Sequence, residues 1–135
     1  MPGAQHMQIG EVAERTGLSL RTIRYYGEVG LVEPSARSRG GFRLYTEADV
    51  ERLNLIKRMK PLEFSLEETR ELLEAIDRLN ASETGREERE ALTERLDAFE
   101  SAIVVRCRTL RKQLAMAEEF AERLREQRAR NNATS

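Results

Sequence analysis

Apolar positions recur every three or four residues along most of the chain, and polar breaks cut this rhythm into short helices followed by one very long one. Ile9, Val12 and Ala13 keep helical spacing until Gly17 stops the run. Ser19 is placed to cap a second helix that turns Leu20, Ile23 and Tyr26 inward and leaves Arg21, Thr22, Arg24 and Tyr25 outward. Two helices separated by a few residues around a glycine are the signature of a helix-turn-helix. Gly30 ends the second helix, and Leu31 and Val32 return to the core. Pro34 then forces an extended segment, and Gly40-Gly41 between short runs of Arg, Phe, Leu and Tyr predicts a tight hairpin, a wing, over residues 37–45. Thr46-Glu47-Ala48-Asp49 is a capping-box pattern opening a third helix with Val50, Leu53, Ile56 and Met59 inward, ended by Pro61. Ser65-Leu66-Glu67-Glu68 opens a fourth in the same way, burying Leu72, Leu73 and Ile76.

Beyond Asn80 the pattern changes. From about Gly85 to about Arg128 there is neither Pro nor a further Gly, and Leu92, Leu96, Phe99, Ile103, Cys107, Leu110, Leu114, Ala117, Ala121 and Leu124 form one narrow apolar stripe. Such a helix would be roughly 65 Å long at 1.5 Å per residue. A stripe that narrow needs a partner, most simply a second copy, so Leu92, Leu96, Phe99, Ile103, Cys107, Leu110, Leu114 and Leu124 are the expected dimer seam. The predicted fold is therefore mainly α, with a winged helix-turn-helix domain over 8–80 and a coiled-coil helix over 84–128. Residues 1–7 are expected to be disordered or vector-derived, with Met7 the natural start, and 129–135 to form a disordered tail.

Charge sharpens the division. The net charge of −1 conceals +3 over residues 1–60 and −4 over 61–135. Five arginines and all three tyrosines lie between Ser19 and Tyr45, opposed only by Glu28 and Glu33. Arginine and tyrosine side chains suit phosphate oxygens and base edges, so the basic end is the expected nucleic-acid surface. One cysteine excludes an internal disulfide, and no apolar run approaches the ~20 residues that span a bilayer. His6 and Cys107 are too isolated to hold a metal, and there is no nucleophile–base pairing or phosphate loop, so neither a cofactor nor an enzyme is expected.

The stretches IGEVAERTGLSLRTIRYY (9–26), GGFRLY (40–45) and FSLEE (64–68) together resemble the MerR family of bacterial transcription regulators, with the similarity extending over roughly residues 8–80. The resemblance implies a winged helix-turn-helix followed by an antiparallel coiled-coil dimer. It places Arg21, Thr22, Arg24, Tyr25 and Tyr26 on the recognition helix, Arg43 and Tyr45 on the wing, and Lys60 at a phosphate contact, with Arg39 a looser match. Gly27 stands where an acidic residue is common, and Glu63 replaces a glycine common before Phe-Ser-Leu, so that turn is expected to be either less tightly bent or slightly strained. Metal-sensing members place cysteines at the start of the dimer helix. Here that segment reads Ala81-Ser82-Glu83, so a metal-sensing role is not expected, nor is the drug-binding domain or four-cysteine cluster of other members.

The expected function is that of a cytoplasmic, nucleoid-associated, sequence-specific regulator. It would act as a homodimer on double-stranded DNA at a pseudo-palindromic operator. The resemblance adds that the dimer bends and untwists a promoter to control RNA polymerase. With no effector domain expected, the controls left open are none beyond abundance, a regulatory protein bound to the coiled coil or tail, or the thiol, the first two being favoured. The rival reading is a coiled-coil interaction adaptor with little DNA binding. Cys107 is read as a small apolar seam residue, with a thiol contact across the dimer axis as the alternative.

Overall fold

The computed structural model describes residues 6–133. Contacts divide the chain between Glu71 and Leu72 into two compact units, a division that falls within the fourth helix.

The first unit begins with β1 (Met7–Gln8), an element the sequence pattern did not signal. Met7 is buried and pairs with Tyr45, so the expected disordered lead-in stops short of it; residues 1–5 lie outside the described residues. Then follow α1 (Ile9–Thr16) and α2 (Leu20–Glu28). Gly17 closes α1 in the left-handed conformation, and Ser19 caps α2 by accepting the Thr22 N–H at 3.0 Å. Ile23 and Tyr26 are buried as expected, but Leu20 is 39% exposed, because a residue in the first turn overhangs the end of the buried face. β2 (Ala36–Arg37) and β3 (Arg43–Tyr45) form the wing, and the antiparallel sheet order is β1-β3-β2. Gly41, at φ 81, makes the turn between them, with its N–H on Ser38 O at 2.9 Å.

α3 (Glu47–Met59) opens with the expected capping box. Thr46 Oγ1 accepts the Asp49 N–H, and Asp49 Oδ2 accepts the Thr46 N–H at 2.9 Å. Its Val50, Leu53, Ile56 and Met59 are all buried, joining Val12, Ile23, Val32 and Tyr45 in the core. A guanidinium fork from Arg15 grips Glu47, at 2.5 and 2.7 Å, and ties α1 to α3. A 3-10 turn, Lys60–Leu62, leads to Glu63, which sits at φ 60. Of the two expectations for that turn, a looser bend or a slight strain, the left-handed backbone of Glu63 matches the second.

α4 (Leu66–Asn80) begins with the second capping box, between Ser65 and Glu68, each accepting the other's N–H at 3.0 Å. In the second unit, Leu72, Leu73, Ala75, Thr84 and Leu92 are buried. The end of α4 is laced to the start of α5 (Arg86–Ala133) by a forked Arg78–Glu88 pair at 2.5 and 2.6 Å. Arg89 adds donations to Leu79 O at 2.8 Å and Ala81 O at 3.0 Å. α5 has 48 residues, about 72 Å, and continues past the expected end at 128. Residues 131–133, expected in a disordered tail, are helical because neither Gly nor Pro interrupts the run after Arg86.

Candidate nucleic-acid interface

The outward face of α2 carries Arg21, Arg24 and Tyr25, all exposed, with Tyr25 at 48%. Thr22 is half-buried, and its hydroxyl accepts from Ser19 Oγ at 2.8 Å. Tyr26 belongs to the inner face. It is 9% exposed, its ring lies 5.8 Å from that of Tyr25 at a tilted 53°, and burial, then the neighbouring Tyr25, raises its hydroxyl pKa. It stays neutral and serves the core more than a ligand.

The wing brings cations together. Arg37 and Arg43 are directly opposed partners across the β2–β3 ladder. Like charges in that position destabilise a hairpin unless something anionic lies between them. Both line a cleft of about 230 Å³ with Gln8, Ile9, Arg24, Gly41 and Phe42, and no carboxylate is in that lining. Arg37 also donates to Gly41 O at 3.2 Å, while Arg43 Nη1 is buried without a hydrogen-bond partner among the described residues. A buried guanidinium nitrogen with no acceptor is costly, and a phosphate oxygen would satisfy it. On their other side the same two arginines border a second cleft that contains Glu28 and Glu33.

The expected site residues do not all gather here. Tyr45 is fully buried, and its hydroxyl has no partner among the described residues, so it is a core residue and not a wing contact. Lys60 is exposed but lines a different cleft of about 150 Å³, with Tyr26, Leu31, Ile56, Met59, Phe64, Leu66 and Thr69. Arg39 is exposed in the hairpin loop and absent from the Arg24–Arg37–Arg43 cleft. Sequence reasoning passed over Arg37, Gln8, Ile9 and Phe42. Arg37 was legible as one of the wing arginines, but its register opposite Arg43 depends on hairpin geometry. Phe42 stands 62% exposed beside the cleft.

Along the dimer stripe, Leu92 is already buried within the protomer, at 7% exposure, so it serves the unit's own core rather than an open seam. Leu96, Phe99, Ile103, Cys107 and Leu110 are half-buried, while Leu114 and Leu124 stand 59% and 55% exposed. Two large apolar groups off the stripe, Met116 and Phe120, are also exposed. No cluster of three or more His, Cys, Asp or Glu side chains able to hold a metal occurs among the described residues, and no described helix is long and apolar enough to cross a membrane.

Comparison with known proteins places these features in context. The family pattern described as "MerR HTH family regulatory protein" matches residues 7–76, and one described as "MerR, DNA binding" matches 50–117. A mercuric resistance operon regulatory protein of Bacillus cereus is 44% identical over 71 residues, 53% of this chain and 54% of its own length. The match thus spans about half the length of that curated relative. Among solved structures, a MerR-family transcriptional regulator from Bacillus cereus superposes with a TM-score of 0.59 at 27% identity, covering 89% of this chain and 75% of that one. HiNmlR, a MerR family regulator lacking the sensor domain and bound to promoter DNA, reaches a TM-score of 0.63 at 23% identity, covering 87% and 80%. At that identity it supports the fold alone.

Proposed function

The chain belongs to the MerR family of helix-turn-helix transcription regulators, which is not a family of enzymes, and on that premise we propose that it acts as a homodimer on a pseudo-palindromic promoter operator. α2 enters the major groove with Arg21, Thr22, Arg24 and Tyr25, and the wing holds the flanking backbone through Arg37 and Arg43. Arg39 and Lys60 add peripheral phosphate contacts. The two α5 helices pair through Leu96, Phe99, Ile103, Cys107, Leu110, Leu114 and Leu124. The family resemblance favours an antiparallel arrangement, and charge agrees modestly, since residues 122–130 hold four Arg against two Glu and would lie beside the partner's residues 86–95, which hold four Glu against three Arg. A parallel pair would place the four arginines against their own copies. Bending and untwisting the promoter to realign it for RNA polymerase costs several kcal/mol by elastic estimates, which paired backbone clamps offset. The setting is the bacterial cytoplasm, at the nucleoid.

The observation that carries this reading is the convergence of Arg24, Arg37 and Arg43 on one carboxylate-free cleft. A phosphate seated there makes a specific prediction. Each lost cation removes one contact per head, hence two per dimer, and should shallow the slope of log K against log salt by about 1.8. Between 50 and 200 mM salt that is roughly a twelvefold difference in how far affinity falls. Arg37→Met and Arg43→Met, titrated by fluorescence anisotropy against a duplex selected from a random pool, test it. Unchanged slopes for both variants would remove the phosphate from the cleft.

A further inference from the structure

The two carboxylates set among the arginines of the basic end occupy different places in the fold. Glu28 is the last residue of α2, and Glu33 follows in the segment leading to the wing; both are exposed. At 100° per residue Glu28 points about 20° from Arg21, about 40° from Arg24 and about 60° from Tyr25. It therefore shares the outward face of α2 with them, about two turns beyond Arg21.

The protein's own interactions do not account for an anion at that position. The dipole opposes a negative charge at the carbonyl end of a helix, and the last turn of α2 has no basic residue to offset it. The Glu28 carboxylate makes no hydrogen bond or ion pair among the described residues. It borders a cleft with Glu33, Arg37 and Arg43, yet none of the four is paired with another across it. Against a duplex the same charge is repelled by phosphates whatever the sequence. A base edge can reverse that balance. A carboxylate only accepts, and in the major groove cytosine offers its N4 amino group as a donor. Adenine sets the N7 acceptor beside its N6 donor, while guanine and thymine present acceptors. We propose that Glu28 is a specificity-determining residue that reads one cytosine in each half-site through the N4 amino group. This rests on the operator-binding reading above.

The test uses the full-length protein and a duplex selected by the wild type from a random pool. Each base pair of one half-site is then replaced in turn, and affinities are measured by fluorescence anisotropy. Wild type should disfavour loss of one C·G pair by about five- to 150-fold. Glu28→Ala should bring that ratio to within about threefold of one, keep the ratios at other positions, and raise affinity for a scrambled duplex. Glu28→Gln should move the preference at the same position to adenine, whose N6 and N7 an amide meets together. Glu33→Gln removes the same charge from the cleft without touching the helix face, so it should raise affinity for every duplex and keep the cytosine ratio. A cytosine preference retained by either Glu28 variant overturns the assignment, as does equal flattening by Glu33→Gln. A uniform gain on all duplexes for Glu28→Ala also overturns it, and marks the residue as a brake on Arg37 and Arg43 alone. Wild type that enriches no sequence overturns the operator-binding reading itself, and that result is seen before any variant is made.

Discussion

Removing Leu114 from the apolar stripe of α5 is the most direct trial of dimerisation. The side chain is 59% exposed in the protomer, so most of its apolar surface is still in water. Complete burial of a leucine is worth about 1.5–3 kcal/mol, so covering the remaining surface yields about 0.9–1.8 kcal/mol per copy. A two-fold dimer contains the residue twice, which brings the total to about 1.8–3.5 kcal/mol. At 1.4 kcal/mol per decade, Leu114→Ala should weaken self-association by about 20- to 300-fold, towards the lower end because the alanine methyl remains. Sedimentation equilibrium over a range of loading concentrations reads the constant directly. Val104→Ala is the control. Val104 is 45% exposed on the same helix but lies roughly 120° around from Leu92 at 100° per residue, away from the stripe. If Leu114→Ala associates as tightly as wild type, or Val104→Ala loses as much, the seam has been placed on the wrong face.

Three further outcomes follow from residues described above. Tyr45→Phe should leave DNA affinity unchanged and preserve or raise stability by up to about 1 kcal/mol, since it deletes a buried hydroxyl that has no partner among the described residues; a loss of affinity measured by anisotropy would return Tyr45 to the wing contacts. Glu63→Gly should raise the urea midpoint, because a non-glycine residue at φ 60 carries a left-handed penalty of about 1 kcal/mol that glycine does not; an unchanged or lower midpoint would show that the residue's own interactions outweigh it. The hydrogen bond from Arg15 lowers the Glu47 pKa, so the contribution of this pair is complete above the carboxyl's unfolded value and fades as pH falls through the folded one. Glu47→Gln should therefore lower the thermal midpoint at pH 7 and converge with wild type in strong acid, and a difference that persists in acid would contradict the assignment.

What could be read from the sequence was what is decided locally. Ser19, Thr46 and Ser65 announce their caps because a side-chain oxygen and an N–H three residues on need nothing from the rest of the fold. Glu63 could be flagged because one turn demands one backbone conformation. β1 was invisible since two residues cannot display alternation, and Met7–Gln8 become a strand only by pairing with Leu44 and Tyr45. In the candidate site, the arginines were readable as charge, but their grouping was not. Arg43 and Tyr45 share a strand face by period two, yet the tyrosine ends in the core while the arginine lines the cleft, a difference that depends on tertiary packing rather than on strand periodicity. Likewise Lys60 carries the right charge and ends beside an apolar hollow, away from the other cations. The end of α5 was misjudged for the converse reason, because polar composition signals solvent exposure and does not by itself stop a helix.

The opposed guanidinium groups of Arg37 and Arg43 have a consequence for handling the protein. An unliganded hairpin that holds them side by side should gather small anions from its buffer. Sulfate or phosphate in the medium would brace the loop and raise the melting temperature of the free protein, while competing with a duplex for the same place. Chloride, more weakly held, would do less of both at equal ionic strength. Comparisons of operator strength are therefore meaningful only between solutions matched in the identity of the anion as well as in its amount.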